Sequence, residues 1–194
     1  MPKAWFFLHF FLLKILIYSE KITNFIKICN KMITEKLKKG HLLIAEPSII
    51  GDLSFNRSVI LLSEHNDQGS VGFILNKPLN YGIHDLLPEI EASFKIYNGG
   101  PMEQDNLYFI HNVPKLINEG KINKNNIRFF LGYTGWDADQ LECEMHANSW
   151  IATENIYANK VIAKSSDTFW KEKIIELGGD YLVWSNAPEN PTFN

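Results

Sequence analysis

The chain has 194 residues, 45% of them hydrophobic and 21% charged, which excludes a disordered, collagen-like or disulfide-stapled protein and fits one folding domain. Its net charge of −3 is uneven: residues 1–31 carry five lysines against Glu20, so 32–194 stands at −7. An acidic domain lacks the positive footprint that phosphate neutralisation needs, which argues against direct nucleic-acid binding, and two cysteines, Cys29 and Cys143, fit a reducing cytoplasm.

Residues 4–18 read AWFFLHFFLLKILIY. The uninterrupted apolar part is short of the ~20 residues that span a bilayer, and no small-residue cleavage site follows it. Residues 1–31 are therefore expected to be a non-native leader or gene-start artefact, with translation beginning at Met32 and no membrane contact; an anchor or signal peptide is the alternative. Beyond them, short apolar runs bounded by turn residues predict strands at 42–45, 58–63 and 71–75. The last two flank Asn66, Asp67 and Gly69, residues suited to a hairpin reversal. A helical turn is expected over 84–87, stopped by Pro88. Further strands are predicted at 95–97, 107–111, 128–131, 150–152 and 181–184. Asp137, with Gln140 three residues on, has capping-box spacing ahead of a helix carrying Ala138, Leu141 and Met145. A second helix is expected from about Asp167, capped by Ser166, to the stop at Gly178-Gly179. Strands and segregated helices together predict a single α+β domain over 32–194, with a strand-rich mixed or antiparallel sheet, a barrel-like one included, and a few packed helices.

Familiar chemical signatures are missing from the sequence: it has no GxxxxGK[ST], no GxGxxG opening a helix, no GxSxG and no HExxH. Cys143 and His146 form half a zinc ligand set, so no metal and no cofactor is expected; a packed cysteine and a surface histidine account for them. Ser63, Glu64 and His65 are strand neighbours whose side chains alternate in direction, which is unsuited to a triad. Three segments combine polar groups with glycine or proline where strands are predicted to end: Asn76-Lys77-Pro78, Gly99-Gly100-Pro101-Met102 and Gly132-Tyr133-Thr134-Gly135-Trp136. Loops carried by a sheet concentrate function, and paired glycines admit a ligand or another backbone closely, though turn chemistry explains the same residues.

The chain resembles the YqgE/AlgH family of bacterial proteins. The likeness is carried by GHLLIAEP at 40–47, FNRSVILL at 55–62, EHN at 64–66 with GSVGFILNKP at 69–78, GGP at 99–101, FLGYTGW at 130–136, QLE at 140–142 and NSW at 148–150. It implies a single α+β domain in the bacterial cytoplasm. It also brings the label of transcriptional regulator, after a member described as a regulator of alginate synthesis, and no catalytic set or cofactor. The leading expectation is a regulatory or interaction protein, binding a protein partner or small ligand through the three loops. The candidate residues are Arg57, His65, Asn76, Lys77, Gly99, Gly100, Tyr133 and Trp136, and any effect on transcription is expected to be indirect. The alternative is an unrecognised hydrolase or transferase using His65, Glu46 or Lys77. Direct DNA binding would need Lys36, Lys38, Lys39, Lys77 and Arg57 on one continuous basic face.

Overall fold

The computed structural model describes residues 37–47, 54–89, 93–112 and 122–187, so the expectations for residues 1–31 and for Lys36 lie outside it. The chain divides into a unit of residues 1–37 and a unit of 38–194, to which everything below refers.

Runs of β-branched and aromatic residues form eight strands among the described residues: β1 (Leu42–Ala45), β2 (Val59–Asn66), β3 (Gly69–Ile74), β4 (Pro78–Gly82), β5 (Lys95–Asn98), β6 (Met102–His111), β7 (Ile127–Asp137) and β8 (Trp150–Thr153). They join in one mixed sheet of order β4-β5-β7-β3-β2-β1-β8, with β6 on the other side of β7, curled into half a barrel. The predicted hairpin is β2–β3, with Asn66 opposite Gly69 and Asp67-Gln68 at the turn. It carries a bulge between Leu62 and Glu64.

Strand β7 organises the sheet. Along one edge its first half pairs in parallel with β5, Phe129 facing Ile96, and its second half pairs antiparallel with β3, Thr134 facing Gly72. Its other edge pairs with β6, out of register between Met102 and Leu107. The helices are α1 (Ile83–Leu86), α2 (Gln140–His146), α3 (Val161–Lys164) and α4 (Phe169–Leu177), with 3-10 turns at Ala158–Lys160 and Gly179–Asn186. Leu42, Ile44, Val59, Phe73, Leu75 and Phe130 of the strands and their flanks form the main core with Val161, Ile162, Phe169, Trp170 and Ile174. Helix α4 is pinned by its Trp170 indole, which donates to the Ala45 carbonyl at 2.9 Å. A smaller core of Ile83, Phe94, Ile96 and Ile127 lies by β5.

The α+β single-domain expectation holds, with local corrections. Residues 132–136 are not a loop at a strand end but part of the second half of β7, which continues to Asp137. Residues 181–184 are not a strand: they sit in the 3-10 segment that follows left-handed Gly178 and Gly179. Asp137 does not cap α2, whose N-cap is Asp139 in a left-handed conformation, although Gln140 Oε1 does accept the Asp137 N–H at 3.0 Å. Helix α4 begins after Thr168 rather than at Asp167. Cys143 is exposed rather than packed. Strand β4 and the turns around α3 are additions, too short to show a period.

Candidate functional site

At one end of the sheet the predicted loop residues are joined to each other. Asn76 is buried; its Oδ1 accepts the Val59 N–H and its Nδ2 donates to the Arg57 carbonyl, both at 2.8 Å. Arg57 has φ 54, a left-handed backbone that this clamp holds. Its guanidinium donates to the Ala187 carbonyl at 2.6 Å and lies 5.1 Å from the Trp170 ring. Lys77 donates to the Ser54 carbonyl at 2.7 Å. Gly99 and Gly100 occupy the fork where β3 and β5 both meet β7: Gly99 donates to Leu131 and accepts from Ile74. A Cβ on Gly99 would overlap the Gly132 carbonyl, and one on Gly100 the Tyr133 carbonyl. The close approach these glycines permit is that of another backbone.

His65 and Trp136 lie elsewhere, beside α2. His65 Nδ1 is 2.8 Å from Ser70 Oγ, and its Nε2 is 3.9 Å from Glu142 Oε1. Serine, imidazole and carboxylate are the members of a hydrolytic triad, but Ser70 is only 5% exposed and Glu142 6%, and 3.9 Å between imidazole and carboxylate is beyond a hydrogen bond. Nor do His65, Glu46 and Lys77 meet: His65 lies at the far end of β2, whose start adjoins the ends of β1 and β3, six residues or roughly 20 Å along the strand. Trp136 is buried, its Nε1 donating to Glu144 Oε2 at 2.9 Å, and Trp150 Nε1 donates to the same oxygen at 2.7 Å. The two indoles stand edge to face at 5.9 Å. Replacing Glu144 with alanine leaves the indole donors of two buried tryptophans without acceptors, and is expected to cost about 2–3 kcal/mol in urea unfolding and to shift tryptophan emission.

Among the described residues, clefts also form in three places. One of about 490 Å³ is lined by Met102, Tyr133 and Val71 with Glu64, Asp137 and Gln140 at its sides; of the eight candidate residues, only Tyr133 and Trp136 reach it. Tyr133 leans edge-on against Tyr108 at 5.6 Å, and Met102 is 46% exposed. Tyr108 in turn donates to the Glu103 carboxylate, which holds that carboxyl below its ordinary range. A second cleft, about 590 Å³, gathers His41, His111, Lys39 and Glu154 over Leu61, Ile110 and Ile162. The third, about 520 Å³, lies between β5, the start of β7 and α3, and holds Arg128, a residue the loop-based expectations passed over. Its signal was there: a lone charge inside the apolar run IRFFL.

Arg128 is 7% exposed. Its Nη1 donates to the Leu75 carbonyl and Ser165 Oγ, both at 2.6 Å; Nη2 donates to the carbonyls of Ile162, at 2.7 Å, and Ser165, at 2.9 Å. The guanidinium stacks 4.1 Å from the Tyr97 ring. Burial pulls its pKa below the ordinary arginine value. Among the described residues no group of three or more His, Cys, Asp or Glu side chains could hold a metal ion, and no helix is long and apolar enough to cross a membrane.

Comparison with known proteins agrees with this architecture. The family model described as DUF179, AlgH-like, matches residues 42–125 and 114–182. A UPF0301 protein of Cytophaga hutchinsonii is 38% identical over 184 residues, covering 81% of this chain and all of its own. Another, from Bacteroides thetaiotaomicron, is 33% identical, covering 80% of this chain and 91% of its own. Among solved structures, AlgH from Pseudomonas aeruginosa superimposes with a TM-score of 0.58 at 25% identity, covering 77% of this chain and 94% of its own. Protein DIP2367 from Corynebacterium diphtheriae shares the fold, with a TM-score of 0.61 at 17% identity over 78% of this chain and 93% of its own.

Proposed function

The chain belongs to the YqgE/AlgH family, and from that membership we propose that it is a regulatory or interaction protein which receives a segment of a partner protein in the Tyr133–Met102 cleft. The observation that carries this is the floor of that cleft. Met102 and Tyr133 offer adaptable apolar surface, Glu64 and Asp137 stand beside it, and among the described residues no lysine or arginine lines it. Such a site suits an apolar side chain flanked by lysine or arginine, with the thioether and ring making contact and the carboxylates setting orientation.

An indirect influence on transcription, exerted in the cytoplasm, fits this better than DNA contact. Lys38 and Lys39 precede β1, whereas Arg57 and Lys77 lie at the opposite end of the same strands, so these cations do not share one stripe. Arg57 and Lys77 are also engaged by backbone carbonyls.

Affinity capture from a bacterium carrying the gene tests the proposal. Met102→Glu and Tyr133→Ala, each checked for folding by circular dichroism, are expected to lose proteins that the unaltered chain and a distant Lys160→Glu control retain. A weakening of tenfold or more, about 2 kcal/mol, is the size expected for a central apolar anchor. Equal recovery by all four proteins removes the cleft from consideration.

A further inference from the structure

A second binding site, unrelated to the Tyr133 cleft, lies at Arg128, and we infer that it takes the phosphate group of a small molecule. Arg128 lines a cleft of about 520 Å³ together with Lys95, Lys124, Ser165, Ser166 and Asp167. Among the described residues three cations stand there against one carboxylate. Among the described residues neither Arg128 nor either lysine has a carboxylate within 4 Å.

A guanidinium this deep is ordinarily paired, because removing a charge from water without a counter-charge is expensive. Here carbonyl dipoles and the Tyr97 ring orient Arg128 but leave its charge uncancelled. Its field therefore projects into the cleft through low-dielectric surroundings, where it is screened less than at the surface. Lys95 and Lys124 are exposed on the rim, and their flexible stems let the ammonium groups close on an anion. The excess of two positive charges matches a phosphate dianion better than a single carboxylate. Phe94 and Ile127 give the remainder of a small ligand an apolar wall, and the volume lies within the ordinary range for such sites.

Isothermal titration of the full chain with inorganic phosphate, phenyl phosphate and benzoate tests the site. Saturable binding of a phosphate is expected, weakened about tenfold or more in Lys95→Gln/Lys124→Gln, since each charge-assisted hydrogen bond carries about that factor. Both lysines are exposed, so the double variant is expected to fold, and circular dichroism checks this. Phenyl phosphate binding more tightly than inorganic phosphate identifies an organic monoester as the ligand class; equal binding identifies phosphate itself. No saturable binding of either phosphate, undiminished binding by the double variant, or benzoate binding as tightly as the phosphates overturns the inference. Partner capture at Met102 is a separate readout, so either result stands without the other.

Discussion

Gly132→Ala is expected to remove a large part of the stability of the domain. Gly132 has φ +72, and a Cβ there would sit 2.6 Å from the carbonyl oxygens of both Gly100 and Met102. Backbone on both sides leaves no flexible side chain to yield, so the sheet must open where β5, β6 and β7 converge. The left-handed conformation alone costs about 1 kcal/mol in alanine, and overlap with two carbonyls adds about 2–3 kcal/mol more. Against the ~5–15 kcal/mol that holds a typical domain together, that is severe. Gly179→Ala is the internal control: φ is +55 there, and nothing lies within 4 Å of the added carbon. Unfolding free energies from urea titration should separate widely for the pair, Gly179→Ala falling by about 1 kcal/mol alone. Similar losses at both positions would show that conformation, not crowding at the fork, decides the matter.

Arg128→Met is expected to cost about 3–4 kcal/mol, even though it relieves the burial of an uncompensated charge. The gain from discarding the charge is offset because three buried carbonyls, on Leu75, Ile162 and Ser165, lose their donor together. Two of them belong to the end of α3, which is only four residues long and cannot hold itself in place. Arg128→Lys retains the charge but not the planar fork, and should recover less than half of the loss in the same urea titration. Full recovery with lysine would mean that the cation matters and its geometry does not.

Much of the sheet was legible because its strands are bounded by residues with a single conformational meaning. Leu42–Ala45 stops at Glu46-Pro47, and the β2–β3 reversal is announced by Asn66, Asp67 and Gly69. The second half of β7 was illegible for the converse reason. Gly132 and Gly135 look like turn punctuation, and only the neighbouring strands reveal that both lie within a strand, where Gly132 serves close packing. Residues 181–184, Tyr-Leu-Val-Trp, have strand composition, but follow two left-handed glycines straight after a helix and wind into a 3-10 turn instead. The site was harder still. Asn76, Lys77, Gly99 and Gly100 are polar or glycine residues in loops, a description that fits recognition and architecture equally, and here their contacts are with their own chain. Arg128 could have been singled out, since an arginine within an apolar strand must answer for its burial.

The placement of β7 also governs when this protein can fold during its synthesis. Strands β1 to β6 emerge from the ribosome first, and among them the β2–β3 hairpin has its partner at hand. Yet β3, β5 and β6 have no common neighbour until residues 127–137 have been made. One edge of β1 pairs with β2, but the other waits longer, because there Leu42 faces Thr153, more than a hundred positions downstream. Pairings this distant pay loop-closure entropy before any contact rewards it, which makes assembly slow relative to a helical protein of similar size. A nascent chain halted before β7 would thus present unpaired strand edges to solvent, and the burden on chaperones should fall on that interval of translation.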